Sequence, residues 1–226
     1  AAAPRTFSGA TPLEWSQRLA ASEMPRLTGA PKLDYTMGLF TLSLLKLNEQ
    51  IPDTNFVKFA EDKVGSLIAP DGKVQGYKPE EFQLDSINPL KTALALWQIT
   101  HDKKYKSAAT ILRRQLDTQP RTFDGGFWHK QRYTNQMWLD GIYMAEPFYA
   151  EYANLFGEPK DFDDVARQMR LIDEHTYDAK TGLNYHGWDA AKMQPWANPA
   201  TCCSSNFWGL AEGWYAVALV DVLDYL

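Results

Sequence analysis

Asn88-Pro-Leu-Lys-Thr-Ala-Leu-Ala-Leu-Trp-Gln-Ile-Thr100, the link His101-Asp102, and Lys103-Lys-Tyr-Lys-Ser-Ala-Ala-Thr-Ile-Leu-Arg-Arg-Gln-Leu-Asp117 together decide the fold. Apolar residues recur at spacings of three and four on both sides of the link, which predicts two helices. Asn88 reads as an N-cap, with Pro89 at the first helical position. A two-residue link leaves no room for anything but an antiparallel pair.

The same pattern extends outward in both directions. Helical spacing predicts segments over 35–47, 55–68, 88–100, 103–117, 136–155, 161–175 and 208–226. Short links join the first to the second, the third to the fourth and the fifth to the sixth. Long links rich in Gly, Pro and aromatic residues precede the third (69–87), fifth (118–135) and seventh (176–207). If each short link closes a hairpin, all long loops emerge at one end. Loops beyond a dozen residues are usually functional or disordered, and these are too aromatic for disorder. Tyr35, Asn88 and Gln136 open successive units about fifty residues apart, an architectural repeat. An all-α ring of hairpins, an (α/α) barrel, is therefore expected, with an ordinary helical bundle as the competing arrangement. The whole of 1–226 reads as one domain, with 1–33 as an N-terminal lead and first turn. The seventh segment is strongly apolar and has no hairpin partner, so more chain or a second copy is expected to cover it.

Composition narrows the function. The chain has 226 residues and a net charge of −5, with no long basic run, which argues against nucleic acid. No apolar run reaches membrane-spanning length. The start, Ala1-Ala-Ala-Pro-Arg-Thr-Phe-Ser-Gly-Ala10, is small and polar. It suits the lead of a processed export substrate, so a periplasmic home is expected, with the cytoplasm as the alternative. Cys202 and Cys203 are adjacent and poorly placed to bridge each other. Of 8 Trp, six (Trp128, Trp138, Trp188, Trp196, Trp208 and Trp214) fall in the C-terminal half. Trp in and beside loops suits flat ligands such as sugar rings. Trp15 and Trp97 read instead as core.

Two carboxylates stand out. Asp140 lies in Gln136-Met-Trp-Leu-Asp-Gly-Ile-Tyr-Met-Ala145, where apolar helical neighbours would desolvate it and keep its proton available to a general acid. A hydrogen-bonded structural Asp near a helix start fits the spacing equally well. Asp85, just before Asn88, would supply the second acid of glycosidic chemistry, or merely cap a turn. His129, Lys130 and Arg132 form a small basic group, and His186 sits in Tyr185-His-Gly-Trp-Asp189. A cationic spot among aromatic loops fits a carboxylate ligand, although Arg132 reads as a solvated loop residue. The His spacing gives no metal motif, and Ser204 and Ser205 lack a nucleophile-elbow context.

Asp124-Gly-Gly-Phe-Trp-His-Lys130 followed by Gln136-Met-Trp-Leu-Asp-Gly-Ile-Tyr-Met-Ala-Glu-Pro-Phe148 resembles the unsaturated rhamnogalacturonyl hydrolases, family 105 of the glycoside hydrolases. Leu84-Asp-Ser-Ile-Asn-Pro89, Tyr185-His-Gly-Trp-Asp189, Gln194-Pro-Trp-Ala197, Phe207-Trp-Gly209 and Gly213-Trp-Tyr-Ala216 support it, in the family's order. The resemblance implies a barrel of six hairpins, of which seven helices would be only the N-terminal part. It implies removal of a terminal 4,5-unsaturated uronic acid from lyase-generated oligosaccharides, by hydration of the vinyl ether. One Asp protonates C4 and then assists attack of water on C5. Asp140 matches that catalytic Asp, and Asp85 the second carboxylate. His129, Lys130, Trp138, His186 and Trp214 match positions lining the substrate site, with Tyr35 a weaker match. No metal or organic cofactor is implied. One departure matters: where the family reads Phe-Trp-Gly-Arg, this chain has Leu210, and a lost charge-assisted contact costs roughly 1.5–3 kcal/mol. A non-catalytic, acidic-sugar-binding relative is the competing reading. An epimerase on a similar barrel would lean on several His, which are scarce here.

Overall fold

The computed structural model describes residues 6–226, and Ala1–Arg5 of the small polar lead lie outside the described residues. Eight α-helices run through these residues: α1 (Pro12–Glu23), α2 (Tyr35–Gln50), α3 (Thr54–Lys63), α4 (Pro89–Thr100), α5 (Lys103–Thr118), α6 (Leu139–Phe156), α7 (Asp161–Thr176) and α8 (Gly209–Leu223). Four short strands accompany them: β1 (Gln136–Trp138), β2 (Tyr177–Asp178), β3 (Leu183–Asn184) and β4 (Gly187–Asp189). No described helix is long and apolar enough to cross a membrane.

The core is organised around α6. Leu139 and every residue from Gly141 to Ala153 is buried. A helix apolar on all sides must be covered on all sides, and α4, α5, α7 and α8 pack around it. Pro147 interrupts its ladder by leaving the Tyr143 carbonyl without its intrahelical donor. The buried Lys91 of α4 takes that place, donating from Nζ to Tyr143 O at 3.3 Å and lying 3.5 Å from the ring centroid. Burial drives the Lys91 ammonium down to about 7.

Helices α2, α4, α6 and α8 form an inner row in chain order, each against the next. The outer helices α3, α5 and α7 return antiparallel, as the short links require. The link after α4 turns on His101 in the left-handed region (φ 58°), and Asp102 caps α5 by accepting from Lys104 N. Gly157 (φ 74°) closes α6 in the same way. The α2–α4 contact is close: a Cβ on Gly38 would stand 2.6 Å from the Pro89 backbone. The Thr41 and Thr92 hydroxyls meet across it at 2.9 Å. The expected all-α hairpin architecture is thus observed, as part of a barrel whose inner helices form a row.

Four expectations need correction. The segment 1–33 is more than a lead, because Pro12–Glu23 is a helix opened by a capping box between Thr11 and Glu14. Trp15 on that helix is not core. It is 39% exposed, and its indole N–H donates to Phe7 O. Asn88 does not cap α4 with its side chain; its amide donates to Tyr35 O instead, tying α4 to the start of α2. The fifth helix begins at Leu139 rather than Gln136, because Gln136–Trp138 pairs antiparallel with Gly187–Asp189. A fifth expectation needs none: among the described residues the last helix has no hairpin partner and keeps an exposed apolar side. Ala211, Tyr215, Ala218 and Val222 of α8 are buried on the side that packs against α6, while Val217, Leu219, Val220 and Leu223 stay exposed.

Candidate functional site

The site stands where the N-terminal ends of the inner helices meet the three long loops. Backbone hydrogen bonds knit these loops together. Leu84 N donates to His129 O and Gln131 N to Glu81 O, joining the first loop to the second. Leu139 N donates to His186 O and Ala190 N to Asn135 O, joining the third loop to the segment that opens α6. His186 N in turn donates to Asn206 O. Residues far apart in sequence are thereby fixed within one face.

Asp85 lies in a single 3-10 turn, Leu84–Ser86, against α6. Its carboxylate faces two side chains: Lys130 Nζ at 2.7 Å from Oδ2 and His129 Nε2 at 3.2 Å from Oδ1. Burial alone would raise its pKa, but His129 and Lys130 outweigh burial and hold it down to about 2. Asp85 is a fixed negative charge.

Asp140 lies in the first turn of α6, immediately after β1. Its helical start places it near the positive end of the helix, and the β1–β4 pair sets its direction. His186, the residue immediately before β4, brings Nε2 to 3.1 Å from Asp140 Oδ2. The two buried atoms are close but not aligned, and neither has a hydrogen-bond partner. Asp140 therefore carries an unengaged oxygen at the site.

Aromatic rings frame both acids. Trp138 stacks on His129 at 4.7 Å and on Tyr133 at 4.7 Å, and it leans on His186 at 5.3 Å. Trp208 meets His186 edge-on at 5.1 Å. On the other side, Trp214 stacks on Tyr143 at 4.6 Å and meets Tyr35 edge-on at 6.2 Å. Burial raises the Tyr35 phenol above its ordinary range, and the charges of Asp85, Asp34 and Asp140 add to this. Tyr35 therefore sits within reach of both acids' fields. A cavity of about 270 Å³ opens beside Trp138 and His186, walled by Trp196 and floored by Ser204, Ser205 and Asn206. Flat apolar walls with a few polar groups suit a sugar ring.

All eight sequence-selected residues (Tyr35, Asp85, His129, Lys130, Trp138, Asp140, His186 and Trp214) fall on this face. Arg132 does not join them; it is exposed, with its guanidinium over Tyr133. Tyr133, Trp208 and Trp196 were not selected, although the aromatic density of their loops was the available signal. Among the described residues, no group of three or more His, Cys, Asp or Glu has metal-holding geometry.

Comparison with known proteins gives four findings. The model of Glycosyl Hydrolase Family 88 matches residues 13–226. A Glycoside Hydrolase From Family 105 of C. acetobutylicum has a solved structure that superposes with a TM-score of 0.90 at 39% identity, covering 94% of this chain and 59% of that one. Among curated proteins, Protein Atu3128 of Agrobacterium fabrum is 44% identical over 83 residues, 37% of this chain and 35% of its own length. The unsaturated rhamnogalacturonyl hydrolase YesR of Bacillus subtilis is 28% identical over 141 residues, 60% of this chain and 39% of its own length. The chain thus spans little more than a third of these curated relatives. The family resemblance and the barrel fold expected from the motifs are both borne out.

Proposed function

Because this chain belongs to Glycosyl Hydrolase Family 88, we propose that it serves the removal of a terminal 4,5-unsaturated uronic acid from lyase-generated oligosaccharides. The observation that carries the reading is the pairing of unlike carboxylates on one face. Asp85 is fixed as an anion by His129 and Lys130, whereas Asp140 keeps an unengaged oxygen 3.1 Å from His186. One acid can hold, the other can move a proton.

In this reaction Asp140 donates its proton to C4 of the vinyl ether, and positive charge develops at C5. Water then adds to C5 and returns a proton to the Asp140 carboxylate. The resulting hemiketal opens, and the bond to the aglycone breaks. Asp85 stabilises the cationic stage and orients the sugar through its pairing with Lys130. Trp138 and Trp214 face the ring, and the cavity beside His186 receives the aglycone. Direct displacement at the anomeric carbon is the alternative chemistry of two carboxylates, but it leaves the C4=C5 bond intact.

The test is the ultraviolet absorbance of the C4=C5 bond across a panel of unsaturated disaccharides. Loss of absorbance with release of the aglycone supports hydration. Aglycone release with the chromophore retained would overturn it. Leu210, exposed in the first turn of α8, motivates one competing reading, in which acidic oligosaccharides bind without turnover. Saturable binding by calorimetry with no absorbance loss would favour that reading.

A further inference from the structure

Beside the turn that carries Asp85 lies a small cavity. Leu84, Phe127, Met137, Trp138, Gly141 and Ile142 form its apolar walls. Three polar side chains complete it: His129, Glu146 and Gln168. Gln168 is already engaged. Its amide nitrogen donates to Gly125 O and Asp164 Oδ1, and its oxygen accepts from Phe127 N. The other two are not: His129 Nδ1 and Glu146 Oε2 are buried atoms with no hydrogen-bond partner. Two orphaned polar atoms in one cavity are costly unless something satisfies both. The cavity has a volume of about 10 Å³, the smallest that admits one water.

The position of His129 gives this pairing a consequence. Trp138 stacks on the ring at 4.7 Å and fixes its plane. Stacking does not decide which ring nitrogen carries the proton. Nε2 faces Asp85 at 3.2 Å, while Nδ1 points to Gly141, where even a methyl group would come within 2.9 Å. A histidine that must donate through Nε2 needs Nδ1 to accept from something.

We propose that Glu146 is a positioning residue, which reaches His129 Nδ1 through a water in this cavity and so keeps the Nε2 proton directed at Asp85. Glu146 acts here as a donor. Burial pushes its carboxyl well above the usual range; Asp164 on α7 adds to this, and Arg121 opposes it while paired with Asp164. The neutral acid donates to the water, the water donates to Nδ1, and Nε2–H donates to Asp85. Every link points the same way, toward the carboxylate. The geometry stands apart from the proposed reaction; only its catalytic consequence rests on that reading.

The test reads the ring nitrogens directly and needs no substrate. Long-range ¹H–¹⁵N correlation spectra of the labelled protein separate the two neutral tautomers, and a His129→Gln variant assigns the signals. The parent is expected to show His129 as a single Nε2–H tautomer. Glu146→Gln keeps a donor and is expected to retain that pattern. Glu146→Leu removes the donor and is expected to lose it, giving mixed or inverted tautomers. A parent His129 protonated at Nδ1, or present as a mixture, overturns the proposal whether or not the Leu variant folds. So does a Leu variant with the parent pattern, or a Gln variant that loses the pattern as fully as Leu. Failure of turnover with an intact tautomer pattern would count against the proposed reaction and leave this inference standing.

Discussion

Asp85 and Asp140 open onto the same face, yet their surroundings are opposite. Asp85 has Lys130 on one oxygen and the His129 ring on the other, and its carboxyl is held down to about 2. Asp140 has one histidine nearby, at 3.1 Å and out of alignment, and an oxygen with no partner. The two side chains are similarly shielded, at 15% and 14% exposed, so burial does not separate them. What separates them is how many polar partners each loop delivers. The loop before β1 brings His129 and Lys130 together onto Asp85, whereas the loop before α8 brings only His186 to Asp140. A carboxylate that is saturated with partners holds charge, and one left short of partners can exchange a proton.

The comparison breaks first at Asp140. Asp140→Asn keeps the shape and removes the proton. Loss of general acid–base assistance is expected to lower kcat by about 10²- to 10⁴-fold, with the unfolding transition unchanged. Progress curves at the C4=C5 band read the rate, and parent-like turnover would remove Asp140 from its role. Asp85→Asn should act on stability as well. Its carboxyl falls from an ordinary 3.8 to about 2 on folding, which corresponds to roughly 2 kcal/mol. A depressed carboxylate stabilises fully above 3.8, and that contribution is lost as pH falls through about 2. The variant should therefore unfold at lower urea than the parent at pH 6, and the gap should close near pH 2. A gap of constant size would show that the ion pairs contribute nothing.

Much of this was legible in the sequence, for reasons that can be named. Helical spacing is local, so the hairpins α2–α3, α4–α5 and α6–α7 could be read from the periodic stretches and their short links. Helix α1 was equally local, since Thr11-Pro-Leu-Glu14 is a capping box with Pro at the first turn, but its weakly apolar face hid it. β1 was not legible. Met137 and Leu139 fit a helical pattern, and only pairing with Gly187–Asp189, some fifty residues on, pulls Gln136–Trp138 into a strand. That pairing matters to the site, because it moves Asp140 from the second turn of the expected helix to the first turn of the observed one. The acids and the basic group could be picked out as residue types, but their partners could not. That His129 and Lys130 serve Asp85 while His186 serves Asp140 depends on backbone bonds between loops, which no spacing records.

Gly141→Ala sharpens the comparison from the Asp85 side. Gly141 stands in the first turn of α6, where alanine gains less than the about 1 kcal/mol it gains over glycine in a helix interior. Here its Cβ would stand 2.9 Å from His129 Nδ1 and 3.2 Å from Leu84 Cδ1. Overpacking typically costs about 1–3 kcal/mol, so the net effect is a small loss. The displaced His129 should also release Asp85 in part, lifting its pKa, which carboxyl carbon shifts in NMR would register. A stabilised variant with an unmoved Asp85 would show that the ring has room.

The smallest effect belongs to Leu210, which faces solvent at 49% exposure in the first turn of α8. It stands two residues after Trp208, whose ring meets His186 edge-on. Leu210→Arg would add a cation to the acid that has fewest partners. An exposed ion pair is worth at most about 1 kcal/mol, which limits the gain in KM for an acidic oligosaccharide to roughly fivefold. The same cation sits at the positive end of α8, where it should cost about 0.3–1 kcal/mol in stability. Affinity and stability are thus expected to move in opposite directions. Leu210→Gln, which is polar but uncharged, should change neither by much. If Arg and Gln lower KM equally, the gain comes from polarity, and the scarcity of charge around Asp140 does not limit binding.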